Sequence, residues 1–180
     1  MISRLITDKG LEEYLKAAKL LKEKYSNNIE FLLVGTFYNG NPTMITKKYL
    51  DQWIKKGVVN YLGSSDDVKK IISESDCIVL PSYREGLSRV LLEAAAMARP
   101  IVTTNVTGCK EVVDNNVNGF LCEPKNYIDL ADKMDKIFHL SKMERLQMGK
   151  KGREKIVKEF NEEIVINKYL QAIRKLVNKS

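Results

Sequence analysis

Two carboxylates stand out by their surroundings. Glu85 and Glu93 lie in the stretch PSYREGLSRVLLEAAAMA, which runs from Pro81 to Ala98, with seven residues between them. Glu93 is the only charge from Val90 to Ala98. A helix that is apolar all round is a buried helix, and a lone carboxylate inside one costs several kcal/mol unless it has partners. Pairing with a core cation or with backbone amides is the purely structural solution. The functional one is a carboxylate that faces a cleft and accepts hydrogen bonds from ligand hydroxyls. Glu85 precedes the same helix, where the helix dipole favours an acid. Gly86 lets the backbone come close to a ligand. Amides of Gly86, Leu87 and Ser88 at the helix start would form an anion seat. One phosphate seat flanked by two hydroxyl-binding carboxylates suits a ligand with sugar rings on either side of a diphosphate. Such a ligand needs cations near it. Arg4 grips phosphate bidentately and Lys9 acts as a point charge; the alternative for each is a solvated surface cation.

The elements that position these residues alternate along the whole chain. Met1–Ile6, Ile29–Val34, Val58–Leu62, Cys77–Leu80, Ile101–Thr104 and Phe120–Cys122 read as short buried strands. Helices are expected over Leu11–Tyr25, Thr43–Lys56, Asp66–Ser75, Ser88–Ala98 and Cys109–Val113, with a loop at Asn39–Pro42. From Tyr127 onward the pattern is helical, with breaks near Ser141 and Asn161. Strands of four to six residues between helices imply a parallel sheet covered on both faces. The fold class is therefore α/β: a Rossmann-like domain over residues 1–140, with a C-terminal helical tail over 141–180 packing on it. Ligands of such sheets sit at the carboxyl ends of the strands. That places the chemistry in the loops after Ile6, Gly35, Leu62, Leu80 and Thr104.

Composition sets the outer bounds. The 180 residues carry 30 Lys and Arg against 23 Asp and Glu, a net charge of +7 that favours anionic partners. No apolar run approaches the roughly 18 residues of a membrane span. Contact with a membrane is expected only at its surface, through the basic stretch Lys142–Lys158. Cys77, Cys109 and Cys122 have no metal-type spacing and read as reduced thiols of a cytoplasmic protein at or near the inner face of the membrane.

The run from Pro81 through Ala96, with Pro100–Thr104, Gly108–Val113 and Asn118–Phe120, resembles the C-terminal domain of the glycosyl transferases group 1 enzymes. Ser3-Arg4-Leu5 with Asp8-Lys9-Gly10 looks like the start of that domain. The resemblance implies half of a GT-B fold and a retaining, metal-independent hexosyl transfer with no cofactor. The donor would be a nucleoside-diphosphate sugar, most commonly of uridine, and the acceptor a glycan or lipid-linked glycan, as in capsule or O-antigen assembly. Arg4 and Lys9 would contact the diphosphate, Glu85 the donor sugar and Glu93 the ribose. Amides of Gly86, Leu87 and Ser88 would support sugar and phosphates. The base would rest near Val59–Leu62, with Tyr61 and Leu62 beside it and Gly35 at the edge. Gly108 and Glu111 would shape the wall. Ser88, Arg99 and Thr107 depart from the family pattern of proline and glycine. The acceptor-binding N-terminal domain of the complete enzymes is expected to be missing, which would leave the chain inactive alone. A sugar-nucleotide epimerase of the same architecture needs acid–base residues that are not evident. A non-enzymatic nucleotide-binding module is the other alternative. A nucleic-acid module would need clustered cations with interleaved aromatics, and neither is present.

Overall fold

In a computed structural model the chain is described over residues 1–38 and 40–177. Asn39 of the expected loop and the last three residues of the expected tail lie outside the described residues. Among these residues five strands fall in two parallel sheets. β1 (Leu32–Leu33) pairs with β2 (Asn60–Tyr61) in the register Leu32 to Asn60. β3 (Ile78–Leu80), β4 (Ile101–Thr104) and β5 (Gly119–Cys122) form the second sheet in that order, with Ile78 opposite Ile101 and Ile101 opposite Gly119. The opening residues run parallel beside β1: the Ser3 and Leu5 N–H groups donate to the Val34 and Thr36 carbonyls, both at 3.0 Å. Among the described residues all pairing is parallel apart from one antiparallel bridge between Ile6 and Met44.

Among the described residues seven α-helices accompany these strands: α1 (Leu11–Tyr25), α2 (Lys47–Lys55), α3 (Val68–Glu74), α4 (Arg89–Ala96), α5 (Tyr127–His139), α6 (Lys142–Glu159) and α7 (Glu162–Val177). α1 packs against α5 and α4 against α6, while both α5 and α4 reach β4. This is the parallel α/β architecture expected. Leu5, Leu15, Leu33, Leu80, Leu91 and Ile101 are wholly or almost wholly buried at its centre, each contributing roughly 1.5–3 kcal/mol of hydrophobic stabilisation. Ser141 closes a capping box with Glu144 and so starts α6 where the break was expected. The described side chains of α7 are exposed apart from Ile164, including Ile166, Leu170, Ile173 and Leu176. No helix among the described residues is long and apolar enough to cross a membrane.

Three local expectations change. α2 begins at Lys47 and not at Thr43, because the residues before it pair with the opening segment: the Ile45 N–H donates to the Leu5 carbonyl at 3.0 Å and the Thr7 N–H to the Thr43 carbonyl at 2.8 Å. Thr46 then caps the helix through the Tyr49 N–H. Cys109–Val113 forms successive turns, and Asn118, 1% exposed, secures their end by donating to the Val112 carbonyl. α4 buries only Leu91, Ala94 and Ala95. It is one-sided, and Glu93 lies half-buried, not in an apolar interior.

Candidate functional site

The loops after the opening segment and after β3 are locked together. Thr7–Lys9 makes a tight 3-10 turn ending at Gly10, whose φ is 71°. A Cβ at Gly10 would stand 2.0 Å from the Pro81 carbonyl oxygen, so only glycine lets this turn lie against the end of β3. The Tyr83 N–H donates to the Asp8 carbonyl at 2.9 Å. The Tyr83 hydroxyl donates to Glu13 at 2.7 Å, and burial followed by this bond raises its pKa.

That docking brings Lys9 to Glu85. Lys9 Nζ is 2.6 Å from Glu85 Oε1, and the two side chains are 15% and 11% exposed. Ser82, fully buried, donates to the same oxygen at 2.7 Å. The Ser82 carbonyl in turn accepts from the Thr104 hydroxyl, and the Leu80 carbonyl from Thr103 at 2.7 Å. β4 thereby holds the chain leaving β3 in place. Sequence reasoning missed Ser82 and Thr104. Thr104 carries no local sign of its partner 22 positions away, whereas Ser82 bonds Glu85 only three positions on, a short spacing that could have found it.

From the third side, Gly108 presses on the glutamate loop. Its φ is 84°, and a Cβ there would meet the Gly86 and Glu85 carbonyl oxygens at 2.4 and 2.5 Å. The Gly108 N–H donates to Glu111 at 2.6 Å. The Gly108 carbonyl accepts from the Ser88 N–H at 3.2 Å. This alters the expected anion seat, because the Ser88 amide is engaged and its residue buried. The amides of Gly86 and Leu87, both exposed, remain for a ligand. Burial raises the Cys109 thiol above its ordinary value, which keeps it protonated and inert.

The other expected residues take separate positions. Arg4 is exposed, its guanidinium carbon 5.2 Å from the centroid of Tyr38 in the loop after β1. Glu93 has no hydrogen-bond or ion-pair partner on its carboxylate among the described residues, so no structural cation accounts for it. Gly35 donates to the Gly63 carbonyl at 2.8 Å and accepts from the Tyr61 hydroxyl at 2.8 Å. Phe37 lies edge-on to the Tyr61 ring, with centroids 6.0 Å apart. Leu62 is exposed beside them, whereas Val59 is buried and offers no surface. The structure thus unites Lys9, Glu85 and Ser82 in one cluster and Gly35 with Tyr61 in another. It leaves Arg4 on Tyr38 and Glu93 unpaired.

The arrangement suits binding more than bond-making by a protein nucleophile. Lys9 retains donor capacity toward an anion, and Glu85 Oε2, which has no partner among the described residues, can accept from a hydroxyl.

The family described as "Glycosyl transferases group 1" matches residues 1–155. The N,N'-diacetylbacillosaminyl-diphospho-undecaprenol alpha-1,3-N-acetylgalactosaminyltransferase of Campylobacter jejuni is 31% identical over 98% of this chain and 44% of its own length. The chain therefore spans less than half of that relative. Among solved structures, a TarM mutant from S. aureus in complex with Fondaparinux, alpha-GlcNAc-glycerol and UDP superposes with a TM-score of 0.83 and 24% identity. The match covers 94% of this chain and 34% of that one. The C-terminal domain of LpcC, a glycosyl transferase group 1 family protein from Francisella tularensis, has a TM-score of 0.74 and 24% identity. There the match covers 87% of this chain and 82% of that one.

Proposed function

The chain belongs to the glycosyl transferases group 1 family, and from that premise we propose that it is the donor-binding half of a retaining, metal-independent hexosyltransferase. The donor is a nucleoside-diphosphate sugar, taken here as a UDP-sugar, and the acceptor is a glycan or a lipid-linked glycan. The UDP in the TarM complex supports the donor class, and the diphospho-undecaprenol-linked sugar of the Campylobacter relative supports the acceptor class. In the transfer, the bond between the sugar's anomeric carbon and the β-phosphate oxygen breaks. An acceptor hydroxyl oxygen takes its place, its proton passes to the departing phosphate oxygen, and the nucleoside diphosphate leaves. Lys9 and Arg4 meet the diphosphate charge, aided by the Gly86 and Leu87 amides. Glu85 accepts from the sugar hydroxyls and Glu93 from the ribose. Gly35, Tyr61 and Leu62 border the base. Preorganised cations and amides of this kind stabilise a leaving anion without rearranging during the reaction.

The observation that carries this reading is the Lys9–Glu85–Ser82 cluster at the carboxyl ends of the strands. A diphosphate cation and a sugar-binding carboxylate must stand side by side there.

The test is a thermal-shift and calorimetric panel of nucleosides, nucleoside diphosphates and nucleotide sugars. Replacing Arg4 and Lys9 together by Gln should weaken a nucleoside diphosphate by roughly 1.5–3 kcal/mol per charge-assisted bond lost and leave the bare nucleoside nearly untouched. Equal losses for both ligands would remove these cations from the diphosphate.

A further inference from the structure

Lys9 and Glu85 are paired, and both side chains are largely buried. The pair is close to neutral, so it offers an incoming anion much less than a lone lysine would. Ser82, buried and tied through its carbonyl to Thr104, donates to Glu85 Oε1 and holds the carboxylate in place. An anion reaching Lys9 therefore meets a fixed negative charge a few ångströms away, in surroundings that screen it poorly.

How strongly it is repelled depends on what the terminal phosphate carries. A phosphate esterified to a sugar has a single ionisable oxygen. The free terminal phosphate of a nucleoside diphosphate has a second ionisation with a pKa near 6, and so bears close to one further negative charge at neutral pH. The sugar ester also brings hydroxyl donors to Glu85 Oε2, which the bare diphosphate lacks.

We propose that the Lys9–Glu85 pair makes this site prefer a sugar-bearing nucleoside diphosphate over the bare one, so that the spent nucleotide is released after transfer. The inference rests on the donor-site reading above. Glu85 thus acts on two ligands in opposite directions, attracting the donor and repelling the product.

The experiment is titration calorimetry of the chain with UDP and with UDP-glucose, UDP-N-acetylglucosamine and UDP-N-acetylgalactosamine. Wild type is compared with Glu85→Gln, which keeps the shape and the hydrogen-bonding oxygen but loses the charge. UDP should bind the variant about tenfold more tightly, equivalent to ~1.4 kcal/mol. The sugar nucleotide that binds best should gain nothing or weaken, so the preference for it falls at least tenfold. Glu85→Ala should give the same gain for UDP and serves if the Gln variant does not fold. A gain shared equally by UDP and the sugar nucleotide, or weaker UDP binding in the folded variant, overturns the proposal. Failure of every nucleotide to bind the wild-type chain overturns the donor-site reading, and this inference with it.

Discussion

Glu93 shows what one unpaired charge can and cannot say. Its helix is one-sided and the residue half-buried, so its carboxylate carries a smaller desolvation penalty than a core position would impose. Glu93→Leu should accordingly change stability by no more than roughly 0.5 kcal/mol, the range of partly exposed positions without partners. The same change removes the proposed ribose acceptor and should cost roughly 1.5–3 kcal/mol of nucleotide affinity. Melting curves and calorimetry on one sample separate the two effects. A large fall in melting temperature with unchanged affinity would make Glu93 structural. The residue types of this site were legible in the sequence because carboxylates at fixed spacing around a glycine have few other uses. Their partners were not. The contact of Lys9 with Glu85 spans 76 positions, and the Thr104 hydroxyl reaches the Ser82 carbonyl from a neighbouring strand that no local pattern names.

The helix and strand order was legible because burial imposes a period on the residues, and that period survives in the sequence. Boundaries were set by distant contacts. The start of α2 depends on pairing with Leu5, and the turns at Cys109–Val113 depend on the left-handed Gly108. The end of α4 belongs to the same class. The residue that leaves the helix in a left-handed conformation is Ala98, with φ 55°, and not Arg99, where the family's glycine was expected. An L-residue in that region is disfavoured by roughly 1–2 kcal/mol, a penalty glycine does not carry. Ala98→Gly should therefore raise the melting temperature, with a gain of about 1 kcal/mol once backbone entropy is set against it. Gly149 of α6 faces the same turn, and a Cβ there would stand 1.9 Å from the Ala98 carbonyl oxygen. Gly149→Ala should destabilise by roughly 1–3 kcal/mol, as overpacking does, by forcing α6 away from α4. Denaturant melts of the two variants should move in opposite directions. Stabilisation by Gly149→Ala would show that the two helices have room to separate at little cost.

As a whole, the molecule presents its candidate site along an open rim of loops, and more than half of its Campylobacter relative lies outside the matched region. Glycosyl transfer needs water excluded and the acceptor held against the donor. We expect the purified chain to bind a nucleotide sugar and to transfer no sugar to added glycans. Product analysis by chromatography checks this, and sustained turnover would show that the described residues suffice. The clasp between the opening turn and the loop after β3 has a kinetic side as well. Lys9 and Tyr83 lie in segments that the chain synthesises far apart, and the entropy of closing so long a loop must be overcome before Gly10 can seat against Pro81. A partly folded chain can hold every helix and still lack the clasp. Ligand capture thus requires a contact closed across 76 positions, so the binding-competent fraction of a preparation reports on the clasp and not on helix content.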